Sequence, residues 1–354
     1  MNIAIIGSGV TGATFSNLFP NAIVFEKSIH AGGRASTHHF SKSEPFDIGA
    51  TVFKDSLEYL DKGIVKKFNL LDFFSKHTKD LKILPHKTYP NAYFPKESMQ
   101  SIAEHLLKNR DIRFKHELES IQKYQNTTKW LLSFKNGYTE IFDLVILTAP
   151  VPQVSSVLKN SGVMSIWDDF IKFRTEYRST LVLTGIWRNL SLELLAKINK
   201  LEQFTFLNKE QDAEYISIEN GKYDLNSLVV TIQFSESFSS KNLERWMAPD
   251  KKLLTYSLNS KQFFFDQFFT LVGLTELVRK VEDEVKVHKW RYAQADFPIF
   301  KEERVDLESP LLKDLIELSK KHNLWISGDW IWGSRIIKNI FGAYFLSEQI
   351  KSII

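Results

Sequence analysis

The first chemistry legible in the chain is the run Gly7-Ser8-Gly9-Val10-Thr11-Gly12, three glycines at G-x-G-x-x-G spacing. Ahead of it, Asn2 to Ile6 is a short apolar run whose β-branched residues read as a buried parallel strand. Behind it, Ala13, Phe15, Leu18 and Phe19 fit one face of a helix that Pro20 stops. Ala22 to Phe25 then reads as a second strand closing on Glu26. In a strand–turn–helix of this kind Gly7 permits the tight turn, Gly9 lets the backbone approach a pyrophosphate, and Gly12 lets helix and strand pack closely. The helix start, with Thr11 in its first turn, offers unpaired N–H groups and the positive end of its dipole to phosphates. Glu26 is placed to accept from ribose hydroxyls, which argues against a 2′-phosphate there. Glycine-rich turns are common, but strand, turn, helix, strand and acid in this order favour dinucleotide binding over an ordinary turn.

Composition sets the frame for that site. A chain of 354 residues suggests about two domains, and 43% hydrophobic with 25% charged residues is enough to bury a sizeable core. Lys+Arg 46 against Asp+Glu 42 gives +4, spread along the chain without a block of like charges, which disfavours a nucleic-acid binder built on phosphate contacts. With Cys 0 there is no disulfide, zinc–thiolate site, iron–sulfur cluster, CxxC pair or Cys-linked cofactor, a count that fits the cytoplasm. No apolar run reaches the ~18 residues that span a bilayer, and Met1-Asn2-Ile3 does not open a signal peptide, so a cytoplasmic protein without membrane partners is expected. No Ser-His-Asp order or HExxH stands out. The neighbours His38-His39 lack i, i+4 spacing and read as a solvated loop rather than a metal site.

Two further motifs follow Glu26-Lys27: Ala31-Gly32-Gly33-Arg34-Ala35-Ser36-Thr37, then Phe46-Asp47-Ile48-Gly49-Ala50-Thr51. Here the chain resembles the FAD-dependent amine oxidase superfamily and, within it, the renalase-like flavoproteins. The family carries an acid followed by Lys or Arg, then GGR-x-S/T, then a D-x-G-A segment. The resemblance implies non-covalent FAD, with Gly33, Arg34 and Ala35 beside its diphosphate and ribityl chain and Gly49, Ala50 and Thr51 reaching the flavin. A dehydrogenase binding NAD without flavin is disfavoured by these motifs together. The expected fold class is α/β: a discontinuous FAD/NAD(P)-binding Rossmann-type domain with a β-meander, plus an α+β substrate domain. The expected boundaries are 1–58, 95–155 and 286–354 for the FAD-binding domain, and 59–94 with 156–285 for the substrate domain.

The middle of the chain fills in that plan. Short strands IRFKH, KWLLSF and YTEIF follow Asp111, the last two across Lys135-Asn136-Gly137, a strong hairpin signal. A buried run, Leu144 to Leu147, leads into Thr148-Ala149-Pro150-Val151-Pro152-Gln153, which resembles the family's turn after the return strand. By that resemblance the backbone at Leu118 pairs with adenine and Thr148-Ala149 pass close to the cofactor. Pro150 and Pro152 also suit a loop crossing between domains. Thr180 to Ile186 and Leu228 to Phe234 read as strands. Lys261 to Val281, with Phe263, Phe264, Phe265, Phe268 and Phe269, reads as a core helix, with a roof over a flavin pocket as the lesser alternative.

The C-terminal part completes the resemblance. Val287-His288-Lys289-Trp290-Arg291-Tyr292-Ala293-Gln294 is similar to an H-x-W-R-Y-A segment of bacterial renalase-like proteins. Leu324 to Trp330 is a strand ending in Gly328-Asp329, and Gly333-Ser334-Arg335 opens the last helix. The resemblance implies that Asp329 contacts the ribityl and phosphate region and that the helix start at Arg335-Ile336 points N–H groups at the flavin pyrimidine. Ile337, Lys338 and Asn339 depart from the family's acid and small residues, and Gly342-Ala343 stands for its Ser-Gly. No catalytic residue is firm. Trp290 and Tyr292 are candidates to stack on a planar substrate, and both suit a core equally. His288 is a weaker candidate, since such a histidine is more often a satisfied strand residue. The activity implied is transfer of substrate hydride to flavin and then to dioxygen, giving hydrogen peroxide, with an isomeric dihydro-NAD(P) as donor. The alternatives are a flavin amine oxidase, whose lysine would be Lys289 or Lys338, and a flavin-binding protein without turnover.

Overall fold

A computed structural model describes all residues except 87–89, 172, 173, 175, 202, 203, 207–211, 224, 245, 247–250, 281, 302 and 303. By its contacts the chain forms two compact units, one of Met1–Ser36, Val52–Tyr177 and Gln294–Ile354, the other of Thr37–Thr51 and Arg178–Ala293.

The larger unit is built on a parallel sheet in the order Asp111–Arg113, Ile23–Phe25, Ile3–Ile6, Leu144–Leu147 and Leu324–Ile326. The central strands Ile3–Ile6 and Leu144–Leu147 are buried at every residue, as a sheet covered on both faces requires. The helices Val10–Leu18 and Ile336–Lys351 pack on one another beside the sheet. Gly342 lets the buried Trp332 ring pack against the last helix, because a Cβ there would lie 2.2 Å from that ring. The meander is Leu118–Lys123, Trp130–Phe134 and Thr139–Phe142. IRFKH, expected as its first strand, instead sends Asp111–Arg113 into the parallel sheet against Ile23–Phe25. Gly137 closes the expected hairpin, donating its N–H to the Phe134 carbonyl at 2.9 Å with φ +84°. Pro150 and Pro152 do not make a loop: Pro150 caps, and Pro152 opens, the helix Val151–Asn160, where their missing N–H groups cost nothing.

Four segments fall in a unit other than the one expected. Residues 59–94 belong to the larger unit, where the hairpin Ser56–Asp61/Ile64–Asn69 seats Tyr59 and Phe68 against Phe341 of the last helix, ring centroids 4.7 and 5.4 Å apart. Thr37–Thr51 and residues 286–293 belong to the smaller unit, and residues 156–177 to the larger. Aromatic and aliphatic packing partners, invisible in the local pattern, decide these allegiances.

The smaller unit holds a sheet in the order Phe204–Phe206, Ala213–Ile218, Leu228–Phe234, Tyr177–Trp187 and Glu284–Ala295. The helix Lys251–Leu271 packs Phe264, Phe265, Phe268 and Phe269 into the core of this unit and leaves Phe263 exposed. Val281, the end of that stretch, lies outside the described residues. His38 and His39 sit in the strand Thr37–His39, paired to Pro45–Asp47, and not in a loop. Among the described residues no helix is long and apolar enough to cross a membrane, and no group of His, Asp and Glu is arranged to hold a metal.

Candidate functional site

In the larger unit the glycine turn has the shape a pyrophosphate needs. A Cβ on Gly12 would lie 2.0 Å from the Gly7 carbonyl oxygen, and one on Gly33 would lie 3.2 Å from the Gly9 Cα. Gly9 and Gly32 meet as an isolated parallel bridge. At Gly12 and Gly33 the turn therefore packs backbone on backbone. The helix Val10–Leu18 has Gly9 as its N-cap and no side-chain cap, so its first N–H groups are left for an external acceptor.

Glu26 is fixed at the strand end. One carboxylate oxygen accepts from the Ser8 N–H at 2.9 Å and the Ser8 hydroxyl at 2.8 Å, the other from the Ser28 N–H at 2.8 Å. A carboxylate offers about four lone-pair sites, so one remains for a ribose hydroxyl. Lys27 is exposed beside it. Leu118 begins the meander with its side chain buried, two residues after His116, whose N–H reaches the Glu26 carbonyl at 2.9 Å. Thr148 lies beneath the turn, its hydroxyl donating to the Ile6 carbonyl at 2.8 Å. Ala149 follows it, its carbonyl facing Gly328. Ala35 is buried in the short turn Gly33–Ala35.

Asp329 gathers four donors at the end of the strand Leu324–Ile326. Arg34 grips it with two nitrogens at 2.6 and 2.9 Å, the Tyr177 hydroxyl donates at 2.9 Å and the Ala295 N–H at 3.2 Å. Burial, with the Asp329 charge, holds the Tyr177 phenol well above its ordinary range, so it stays a donor. Arg34 thus spans from the glycine loop to the Gly328-Asp329 turn, a pairing that sequence spacing does not reveal. Tyr177 was not among the expected residues, and nothing in its local sequence marks it.

The departures in the last helix have structural roles. Asn339 accepts from the Thr11 hydroxyl at 3.2 Å and donates to the Gly333 carbonyl at 2.8 Å, tying this helix to the first one. Lys338 is buried and donates to the Phe300 carbonyl at 2.9 Å, and Ile337 is core. Arg335 is the N-cap, with an exposed side chain and no side-chain cap of its own, and Ile336 is the first, buried helical residue.

The other expected residues lie in the smaller unit, in two clusters. His288, Trp290 and Tyr292 share one face of the strand Glu284–Ala295 at alternate positions. His288 and Trp290 have ring centroids 4.4 Å apart, and His38 meets His288 at 5.4 Å. Burial, with His38 adding to it, pushes His288 down to about 4, so it is neutral near pH 7. An unfolded chain protonates this ring below about 6.5, so its contribution to stability is lost as pH falls from there toward about 4. A His288→Gln chain should therefore lose less stability between pH 7 and pH 4.5 (thermal unfolding against pH measures it). Lys289 is engaged by Glu244 at 3.0 Å.

Gly49, Ala50 and Thr51 form the second cluster. The Thr51 hydroxyl and the Tyr215 hydroxyl are 2.6 Å apart, the Thr51 carbonyl accepts from Lys222, and the Gly49 carbonyl accepts from Gln233. Burial alone would push the Lys222 ammonium down, yet Asp47 and Glu219 beside it hold it above its usual value. Neither Lys222 nor Gln233 carried a signal in the sequence. Asp47 did, as the acid of the Phe46–Thr51 segment.

Residues 5–63 match the family described as NAD(P)-binding Rossmann-like domain, and residues 63–175 the family described as flavin containing amine oxidoreductase. The chain is 24% identical to mouse renalase over 310 residues, 82% of this chain and 84% of that protein. Its fold is shared with a solved protein assigned as a protoporphyrinogen oxidase from Exiguobacterium, at a TM-score of 0.64 and 13% identity over 99% of this chain and 98% of that one. Wild-type putrescine oxidase bound to putrescine shares it too, at 0.59 and 9% over 99% of both chains. The uncapped helix start, the bare glycine contact and Glu26 fit the dinucleotide that these families hold. The two family matches and the likeness to renalase together support an FAD-dependent oxidoreductase similar to the renalase-like proteins of the amine oxidase superfamily.

Proposed function

We propose that the chain binds FAD non-covalently and oxidises a small planar donor, an isomeric dihydro-NAD(P), with dioxygen as final acceptor and hydrogen peroxide as product. The observation that carries the donor class is the likeness to renalase along 82% of the chain. FAD, when bound, would supply the hydride-accepting chemistry. The chain's own contribution is binding and orientation. In this reading the helix start at Val10–Leu18 and Arg34 hold the diphosphate, Glu26 the ribose, and Leu118 the adenine. Thr148, Ala149 and Asp329 line the path between, and Gly49, Ala50, Thr51, Arg335 and Ile336 meet the flavin. Trp290 offers an aromatic face, and His288, neutral near pH 7, brings no charge against a hydride donor.

A second reading, oxidation of an amine, is favoured by the description of the family matched over 63–175. Against it, Lys289 is tied to Glu244 and Lys338 to a backbone carbonyl. The two readings separate under anaerobic mixing of FAD-loaded protein with dihydro-NAD isomers or with a panel of amines. Flavin bleaching by the isomers alone, reversed by air, is the expected result. Bleaching by amines alone would replace the first reading with the second, and a chain that takes up no FAD would sink both. A cytoplasmic location is part of the same proposal, as is a function apart from nucleic acid and membrane.

A further inference from the structure

Residues Asp47 to Thr51 are tied down to an unusual degree for a segment that is neither helix nor, past Asp47, strand. Trp290 Nε1 donates to the Ile48 carbonyl at 2.6 Å, Gln233 Nε2 to the Gly49 carbonyl at 2.8 Å, and Lys222 Nζ to the Thr51 carbonyl at 3.1 Å. The same ammonium grips the Asp47 carboxylate, which also accepts from the Tyr223 hydroxyl at 2.8 Å and the Thr37 hydroxyl at 2.6 Å. Glu219 stands 3.2 Å from Lys222 on another side, and all three charged side chains are fully buried.

A buried ion cluster is a poor way to gain stability, since desolvation of the charges offsets their attraction. Its effect here is directional. Three donors hold the Ile48, Gly49 and Thr51 carbonyls toward the smaller unit's own residues, while the N–H groups of Gly49 and Ala50 meet no acceptor among the described residues. Backbone N–H groups that are half-buried need a partner, and a flavin's polar edge is rich in acceptors.

We infer that Lys222 is a positioning residue for the flavin site: its ammonium, tied to Asp47 and the Thr51 carbonyl, pins both ends of Asp47–Thr51, while Trp290 and Gln233, on the Ile48 and Gly49 carbonyls, turn the opposed Gly49 and Ala50 N–H groups toward the flavin as donors. Gln233 assists at Gly49. This rests on the reading above in which Gly49–Thr51 meet FAD.

Lys222→Met and Gln233→Leu test it, the second because Lys222→Met leaves two buried carboxylates and can fail to fold. Three quantities are read on each: thermal midpoint, amide chemical shifts of Gly49 and Ala50 in the FAD-free chain, and visible spectrum with FAD affinity. The expected result is displaced amide shifts, a displaced flavin absorption band and about tenfold weaker FAD binding, the loss of one well-made hydrogen bond. For Gln233→Leu the thermal midpoint should barely move. Unchanged amide shifts and an unchanged flavin band in both folded variants, with only a lower midpoint for Lys222→Met, would overturn the inference and leave Lys222 a structural charge. If Lys222→Met does not fold, Gln233→Leu decides alone by the same readouts. If the parent chain takes up no FAD, the functional reading fails while the amide shifts of the FAD-free chain still test the clamp.

Discussion

An Asp329→Ala chain should lose about 3 kcal/mol of stability, the lower part of the range for breaking a buried ion pair by removing one partner. The arithmetic comes from what the carboxylate satisfies. Two guanidinium nitrogens, the Tyr177 hydroxyl and the Ala295 N–H all donate to it, and Asp329 is 2% exposed. Arg34, however, is 30% exposed, so water can reach part of the abandoned guanidinium and the loss falls short of the full range. Equilibrium unfolding in denaturant measures it. Asp329→Asn keeps one oxygen for Tyr177 or Arg34 but turns an amide toward the other, and should fall between the two. A chain without Asp329 that unfolds at the parent's midpoint would mean that Arg34 finds an equal partner elsewhere.

Gly12→Ala should abolish FAD retention altogether. The added carbon would sit 2.0 Å from the Gly7 carbonyl oxygen and 3.0 Å from its carbon, both backbone atoms at the strand end. Nothing flexible lies there to give way, so helix and turn must part by more than an ångström, and the N–H groups that face the phosphates move with them. Gly137→Ala is the contrasting control. Its φ of +84° strains any side chain, but its Cβ would meet nothing within 4 Å, so only a cost of roughly 1–2 kcal/mol is expected, without effect on FAD. Flavin absorbance of the purified proteins, alongside their thermal midpoints, distinguishes steric loss of the site from simple destabilisation. A yellow Gly12→Ala protein of parental stability would mean that the turn is not where the dinucleotide sits.

The buried polar network at Lys222 shows why some of this site was hidden from sequence. Lys222 sits 175 residues from Asp47, and Arg34 sits 295 from Asp329. Pairings at such separations leave no periodicity and no spacing to read. The same blindness moved the domain boundaries, since Tyr59, Phe68 and Phe341 declare their association only when the last helix packs. It also misplaced the first meander strand, because Asp111–Arg113 and Leu118–Lys123 are both short alternating runs, and only pairing tells which sheet each joins.

What the sequence determined by itself was local: the strand, glycine turn, helix and acid from Ile3 to Glu26, the Asn-Gly hairpin, the buried strands Leu144–Leu147 and Leu324–Ile326, and the proximity of the last helix start to a Gly-Asp turn. Each depends on backbone conformation or burial over a few residues, and residue type fixes those directly. The partners of the buried polar groups came from packing: Asp329 held by Arg34 and Tyr177, Lys222 between Asp47 and Glu219, Asn339 bridging two helices. A charged side chain can satisfy itself in water or with any opposite charge that folding brings near, so its role is set by the packing around it and not by its neighbours in the chain.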